Sequence, residues 1–124
     1  MIEHVSLGTH HYGKAVDFYR EVLALLGLEL LRDTGAEAAF GTPSHWSFFL
    51  YPITPPQMVS AKGTHVALGA SSRALVRAVH EAAIAASGTD IFTPRERPDI
   101  SPTYFGAMFK DLDGHGIEIL TNSL

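Results

Sequence analysis

The chain states one pattern twice. Glu3-His4-Val5-Ser6-Leu7-Gly8 returns sixty-one residues later as Thr64-His65-Val66-Ala67-Leu68-Gly69, with four of the six positions identical. Both copies alternate polar and apolar side chains, the period of a half-buried β-strand. Strand side chains point alternately to opposite faces. His4 and Ser6 therefore lie opposite Val5 and Leu7, and His65 and Ala67 opposite Val66 and Leu68. A repeat of this length means two copies of one supersecondary unit, each with an open sheet that needs a partner.

The rest of each half follows the same plan. Ala15, Phe18, Tyr19, Val22, Leu23 and Leu26 fall at helical spacing over about 14–26, and Gly27 stands where a helix ends in a left-handed residue. The sixty-one-residue shift carries Ala15, Phe18, Val22 and Leu23 onto Val76, Val79, Ala83 and Ile84, and Gly27 onto Gly88. Ser71 or Ser72 can cap this second helix. Strands are predicted at 28–31, 36–40, 46–51, 90–93, 104–109 and 117–120, with a loop rich in proline and charge over 94–102. Pro52, Pro55 and Pro56 interrupt regular structure, so 52–63 reads as a linker. The order is β-α-β-β-β, twice. This predicts an α+β domain of two tandem βαβββ modules, about 1–52 and 63–124.

Composition narrows the partners. A net charge of −4 with scattered Lys and Arg gives no reason to expect nucleic acid or an anionic membrane. There is no cysteine, which removes disulfides and thiolate ligands and suits a cytoplasmic protein. No apolar run approaches the ~20 residues that span a bilayer, and no signal peptide is visible. Seven histidines are many for 124 residues and hint at metal or acid–base chemistry.

If the two strand histidines face one concavity, Glu118 is the natural candidate to join them. It interrupts the aliphatic Ile117-Glu118-Ile119-Leu120, where a carboxylate is costly to bury without a partner. Two imidazoles and one carboxylate are the ligand set of an open facial metal site, suited to Fe(II) and, in other surroundings, Mn, Ni, Co or Zn. The equivalent strand of the first half holds Phe49 where Glu118's counterpart is expected. The reading is thus three protein ligands, His4, His65 and Glu118, on one divalent ion. Tyr104, after the proline-rich loop, is a candidate hydroxyl at the centre. Trp46, Phe48, Phe49 and Tyr51 either line a substrate cavity or pack the core. Arg95 and Arg97 either clamp an anionic substrate or face solvent. His10, His11 and His80 are expected in surface or packing roles; His45 and His115 sit in turns.

With these residues in hand, the chain resembles the vicinal oxygen chelate superfamily of glyoxalase I, extradiol dioxygenases, fosfomycin-resistance thiol transferases and bleomycin-binding proteins. The resemblance rests on "EHVSLG", "AVDFYREVLALLGLEL", "THVALG" and "DLDGHGIEIL", the last matching the family's "DPDGN-x-IE" with Leu112 for proline and His115 for asparagine. It implies a glyoxalase-like incomplete β-barrel, metal ligands at His4, His65 and Glu118, and a homodimer with sites shared between chains. It further implies a metal-dependent lyase or isomerase acting on a small oxygen-rich molecule. Glu118 and, from its position alone, Tyr104 are the candidates for the chemistry, and Trp46, Phe49 and Arg97 are the candidates for contact with the substrate. The same triad also serves ring-cleaving dioxygenases and thiol transferases. A drug-binding dimer without turnover is the non-enzymatic alternative.

Overall fold

A computed structural model describes the whole chain, residues 1–124. The elements run β1 (Val5–Thr9), α1 (Tyr12–Ala24), β2 (Glu29–Asp33), β3 (Ala38–Thr42), β4 (His45–Pro52), β5 (His65–Gly69), α2 (Arg73–Ala85), β6 (Thr89–Glu96), β7 (Phe105–Lys110) and β8 (Gly116–Thr121). They form two four-stranded sheets, ordered β1-β4-β3-β2 and β5-β8-β7-β6. In each, the opening strand lies parallel to the last strand of its module, and the remaining pairings are antiparallel. The architecture is the predicted pair of βαβββ modules, without a closed barrel. Neither helix is long and apolar enough to cross a membrane.

Each helix lays its stripe on its own sheet. α1 buries Ala15, Val16, Phe18, Tyr19, Val22 and Leu23, and α2 buries Val76, Val79, His80 and Ala83. Ser72 caps α2 by accepting the Leu75 amide at 3.1 Å. The two stripes meet, and one continuous core takes in both helices and both sheets. Phe18 of α1 reaches Phe109 of β7, centroids 6.1 Å apart.

Two local expectations are corrected. Gly27 does take the left-handed conformation (φ 77°), but in the second module Ser87 takes it (φ 78°), one residue before the matched Gly88. The repeat thus slips by one at the end of α2. Gly88 is needed for another reason: a Cβ there would stand 2.8 Å from the Ala83 carbonyl oxygen. The second correction is Pro94, which lies inside β6 rather than opening a loop. β6 is an edge strand with irregular pairing to β7, where a missing N–H is tolerated.

Polar contacts between the modules converge on the turn between β7 and β8. Asp111, 6% exposed, accepts the amides of Asp113 and His115 on one oxygen, each at 2.9 Å, and the Tyr19 hydroxyl on the other. Asp113 accepts the Thr9 hydroxyl at 2.5 Å and the His10 amide at 2.8 Å. His115, buried rather than a free turn residue, donates from Nε2 to the Gly8 carbonyl at 2.8 Å. The end of β1 is thereby fastened to the start of β8.

Asp111→Ala strips partners from a buried phenol and two amides and should cost about 3 kcal/mol; urea unfolding measures it, and a loss below about 1 kcal/mol would contradict this role. Burial first, and then the charge and hydrogen bond of Asp111, hold the Tyr19 phenol well above its ordinary value. Burial and the hydrogen bond to Asp33 push Tyr12 up to about 12 from 10.0. The folded state holds these protons more tightly than the unfolded chain, so their stabilisation is complete below about pH 10 and fades as pH rises above it. Urea midpoints should therefore fall on the alkaline side, and fall less steeply in Tyr19→Phe.

Candidate metal centre

The ladders align the two halves of the site. Ser6 pairs with Phe49 across β1 and β4, and Ala67 pairs with Glu118 across β5 and β8. Phe49 and Glu118 thus occupy equivalent places, each paired with the residue two positions after a histidine. Glu118 is 8% exposed although it sits in an otherwise aliphatic strand. Its Oε2 accepts the Tyr104 hydroxyl at 2.5 Å, and its Oε1 lies 3.6 Å from His65 Nε2. Burial, then the hydrogen bond to Glu118 and its charge, push Tyr104 up to about 12, so the phenol keeps its proton at neutral pH.

Backbone space makes this trio possible. A Cβ on Gly106 would come within 3.3 Å of the Tyr104 ring and 3.5 Å of Glu118 Oε2, and one on Gly116 within 3.0 Å of the His65 Cβ. These glycines were not singled out from the sequence. The only signal for them is their place on strands beside the candidate ligands.

His4, immediately before β1, engages a different set. Its Nδ1 faces Glu3 Oε1 at 2.5 Å, and His45 Nε2 lies 2.9 Å from Glu3 Oε2. The His4 hydrogen bond, with the His45 charge adding to it, holds the Glu3 carboxyl below its ordinary value. The His4 ring stands edge-on to Phe49, centroids 5.1 Å apart. His4 and His65 line the same cavity of about 520 Å³, which runs between the first strands of the two modules.

The donor types suit a divalent cation, and two of them, His65 and Glu118, stand close enough to share one. Each histidine turns Nδ1 toward an oxygen, Glu3 Oε1 for His4 and, at 3.4 Å, the Gly63 carbonyl for His65. A proton on Nδ1 leaves Nε2 as the lone-pair nitrogen, the arrangement seen in metal-ligating imidazoles. The 3.6 Å from His65 Nε2 to Glu118 Oε1 exceeds a hydrogen bond. It approaches the separation of about 3.0–3.5 Å that two atoms bound to one zinc-sized ion would show. Within one chain, however, no three His, Asp or Glu side chains close around a common point. His65 and Glu118 are brought together; His4 shares a cavity with His65 but not with Glu118.

The other sequence candidates lie as follows. Phe49 stacks on Tyr51 at 13° and 6.5 Å beside His4. Trp46, 37% exposed, faces Gly41 across the β3–β4 irregularity. Arg97 is held by Asp99 through bonds of 2.9 and 2.8 Å, which keeps its guanidinium above its ordinary value, and it lies with Arg95 over the Phe92 ring. Its charge is already answered. His80 is buried against Asp90 at 2.7 Å, and His10 lies 2.8 Å from the Gln57 carbonyl.

A comparison with curated proteins finds no match. Solved structures share the fold. A glyoxalase/bleomycin resistance protein from Albidiferax ferrireducens T118 superposes with a TM-score of 0.84 at 24% identity, covering 96% of this chain and 97% of that one. TioX from Micromonospora sp. ML1 gives 0.71 at 20%, covering 99% of each chain. A mutant of the fosfomycin resistance protein FosX from Listeria monocytogenes, complexed with Mn(II) and 1S,2S-dihydroxypropylphosphonic acid, gives 0.71 at 18%, covering 96% of this chain and 87% of that one. The family model described as Glyoxalase/Bleomycin resistance protein/Dioxygenase superfamily matches residues 1–119. With the duplicated βαβββ sheets and a match over nearly its whole length, the chain belongs to that superfamily.

Proposed function

We propose that this protein is a divalent-metal-dependent, glyoxalase-like lyase or isomerase acting on a small oxygen-rich substrate. The observation that carries the reading is Glu118, a buried carboxylate with a protonated phenol on one oxygen and the His65 Nε2 3.6 Å from the other. A carboxylate so placed lacks a full positive counter-charge, and a cation would supply it. His4, His65 and Glu118 would hold the ion, which when bound acts as a Lewis acid toward two neighbouring substrate oxygens. Tyr104 fixes the rotamer of Glu118 by donating its one hydroxyl proton to it, and its oxygen can accept from a substrate hydroxyl. Glu118 can move a proton between adjacent substrate atoms. Phe49, where a symmetric site would have a fourth ligand, leaves that side open and apolar.

The separation of His4 from the His65–Glu118 pair favours a homodimer in which His4 of one protomer completes the site of a second copy. Ring-cleaving dioxygenase or thiol-transferase chemistry is the alternative on the same ligands. The Phe49–Tyr51 stack favours a second reading, a groove that holds an aromatic ligand without turnover.

Reconstituted wild-type protein should hold close to one equivalent of metal per chain by elemental analysis. His65→Ala and Glu118→Gln should each lower affinity by about tenfold or more. Less than a tenth of an equivalent in the wild type, across Zn, Ni, Mn, Co and Fe(II), would overturn the reading. Mixing His4→Ala with Glu118→Gln should restore a fraction of intact sites if ligands are shared between protomers, and none if each chain builds its own. Hemithioacetal isomerisation with Ni(II) or Zn(II), against oxygen uptake on a catechol with Fe(II), separates the two enzymatic readings.

A further inference from the structure

A second cavity, of about 450 Å³, adjoins the candidate centre on the far side of His65, beneath the end of the linker. Lys62 and Lys110 both line it, with the hydroxyl-bearing Ser60 and Thr64. The chain has three lysines, and two of them border this one cavity although the net charge is −4. Neither joins any of the ion pairs of the structure. Asp113 is the one acid in the lining, and its two oxygens are engaged by Thr9 and His10 of the first module. Two ammonium groups sharing a cavity repel each other, and a bound anion turns that repulsion into attraction. The size is that of a small-molecule site.

The cavity also touches the site by two routes. His65 lines both this cavity and the one it shares with His4. Met108, which pairs with Glu118 across β7 and β8, is part of the lining as well. A ligand here would thus lie against the same imidazole and beside the strand position of the carboxylate.

We propose that this cavity binds an oxyanion, a carboxylate or phosphate group, through Lys62 and Lys110. Resting on the function proposed above, that oxyanion is one end of the substrate, and the substrate class is small oxygen-rich acids or phosphate esters. The anion site itself does not depend on the metal.

The test uses the full chain, metal-free and at constant ionic strength, titrated with inorganic phosphate and separately with malonate. The His65 ring signals, followed by NMR, should shift saturably with at least one of the two, and the preferred anion tells phosphate from carboxylate. Lys62→Gln and Lys110→Gln should each weaken binding severalfold, and the double variant at least tenfold, while metal content after reconstitution stays at the wild-type level. No saturable shift with either anion, or equal binding by the double variant, would overturn the proposal. Loss of folding is excluded if the double variant keeps its thermal midpoint, and if it does not, the two single variants decide by the same criterion. Anion binding without metal binding would leave this site standing and remove the enzymatic reading.

Discussion

The buried carboxylate of Asp111 is the contact on which the rest is arranged. A carboxylate at 6% exposure is expensive unless every lone pair is answered, and here two amides and a phenol answer it. The amides come from its own turn, but the phenol comes from α1 of the other module. Closing the turn correctly and docking the modules correctly are therefore one event. Neither sheet could bury its helix-facing side fully alone, and the shared core of Phe18, Tyr19 and Phe109 supplies the apolar part of the same joint.

That joint decides where the candidate ligands stand. Thr9, His10 and Gly8 are tied to Asp113 and His115, so the last residues of β1 and the first of β8 cannot move independently. His4 and His65 consequently border one cavity, although their strands belong to different sheets. The duplication makes the two halves alike in backbone, and the chemistry lies where they differ. At the equivalent ladder position one half puts Glu118 under the Tyr104 hydroxyl, and the other puts Phe49 under the edge of His4. At that position one half is anionic and the other is aromatic.

Much of this was legible in order of residue spacing. Period-two alternation around His4 and His65 marks half-buried strands, and the 3.6-residue stripes mark two helices, because both signals come from neighbours within a few residues. The equivalence of Phe49 with Glu118 follows from counting along matching units, and the ladder registers agree with it. What spacing could not reveal is which charges are already answered. Arg97 reads as an anion clamp or a solvent-facing charge, and only the fold shows that Asp99 holds it. His115 reads as an exposed turn residue or as a donor behind the ligands, and only the fold shows that it donates to the Gly8 carbonyl, 107 positions away.

The amino-acid sequence by itself determined two βαβββ modules, their apolar faces and the residue types that each turns away from its core. Those are local consequences of side-chain period, capping and turn chemistry. Only the tertiary structure decided that α2 ends through Ser87 rather than Gly88, that Pro94 lies in an edge strand, that Tyr104 pairs with Glu118, and that two of three lysines border one cavity. Each of these depends on which groups distant in sequence compete for the same volume and the same hydrogen bonds, and that competition exists only once the helix, strands and linker of the second half have packed together.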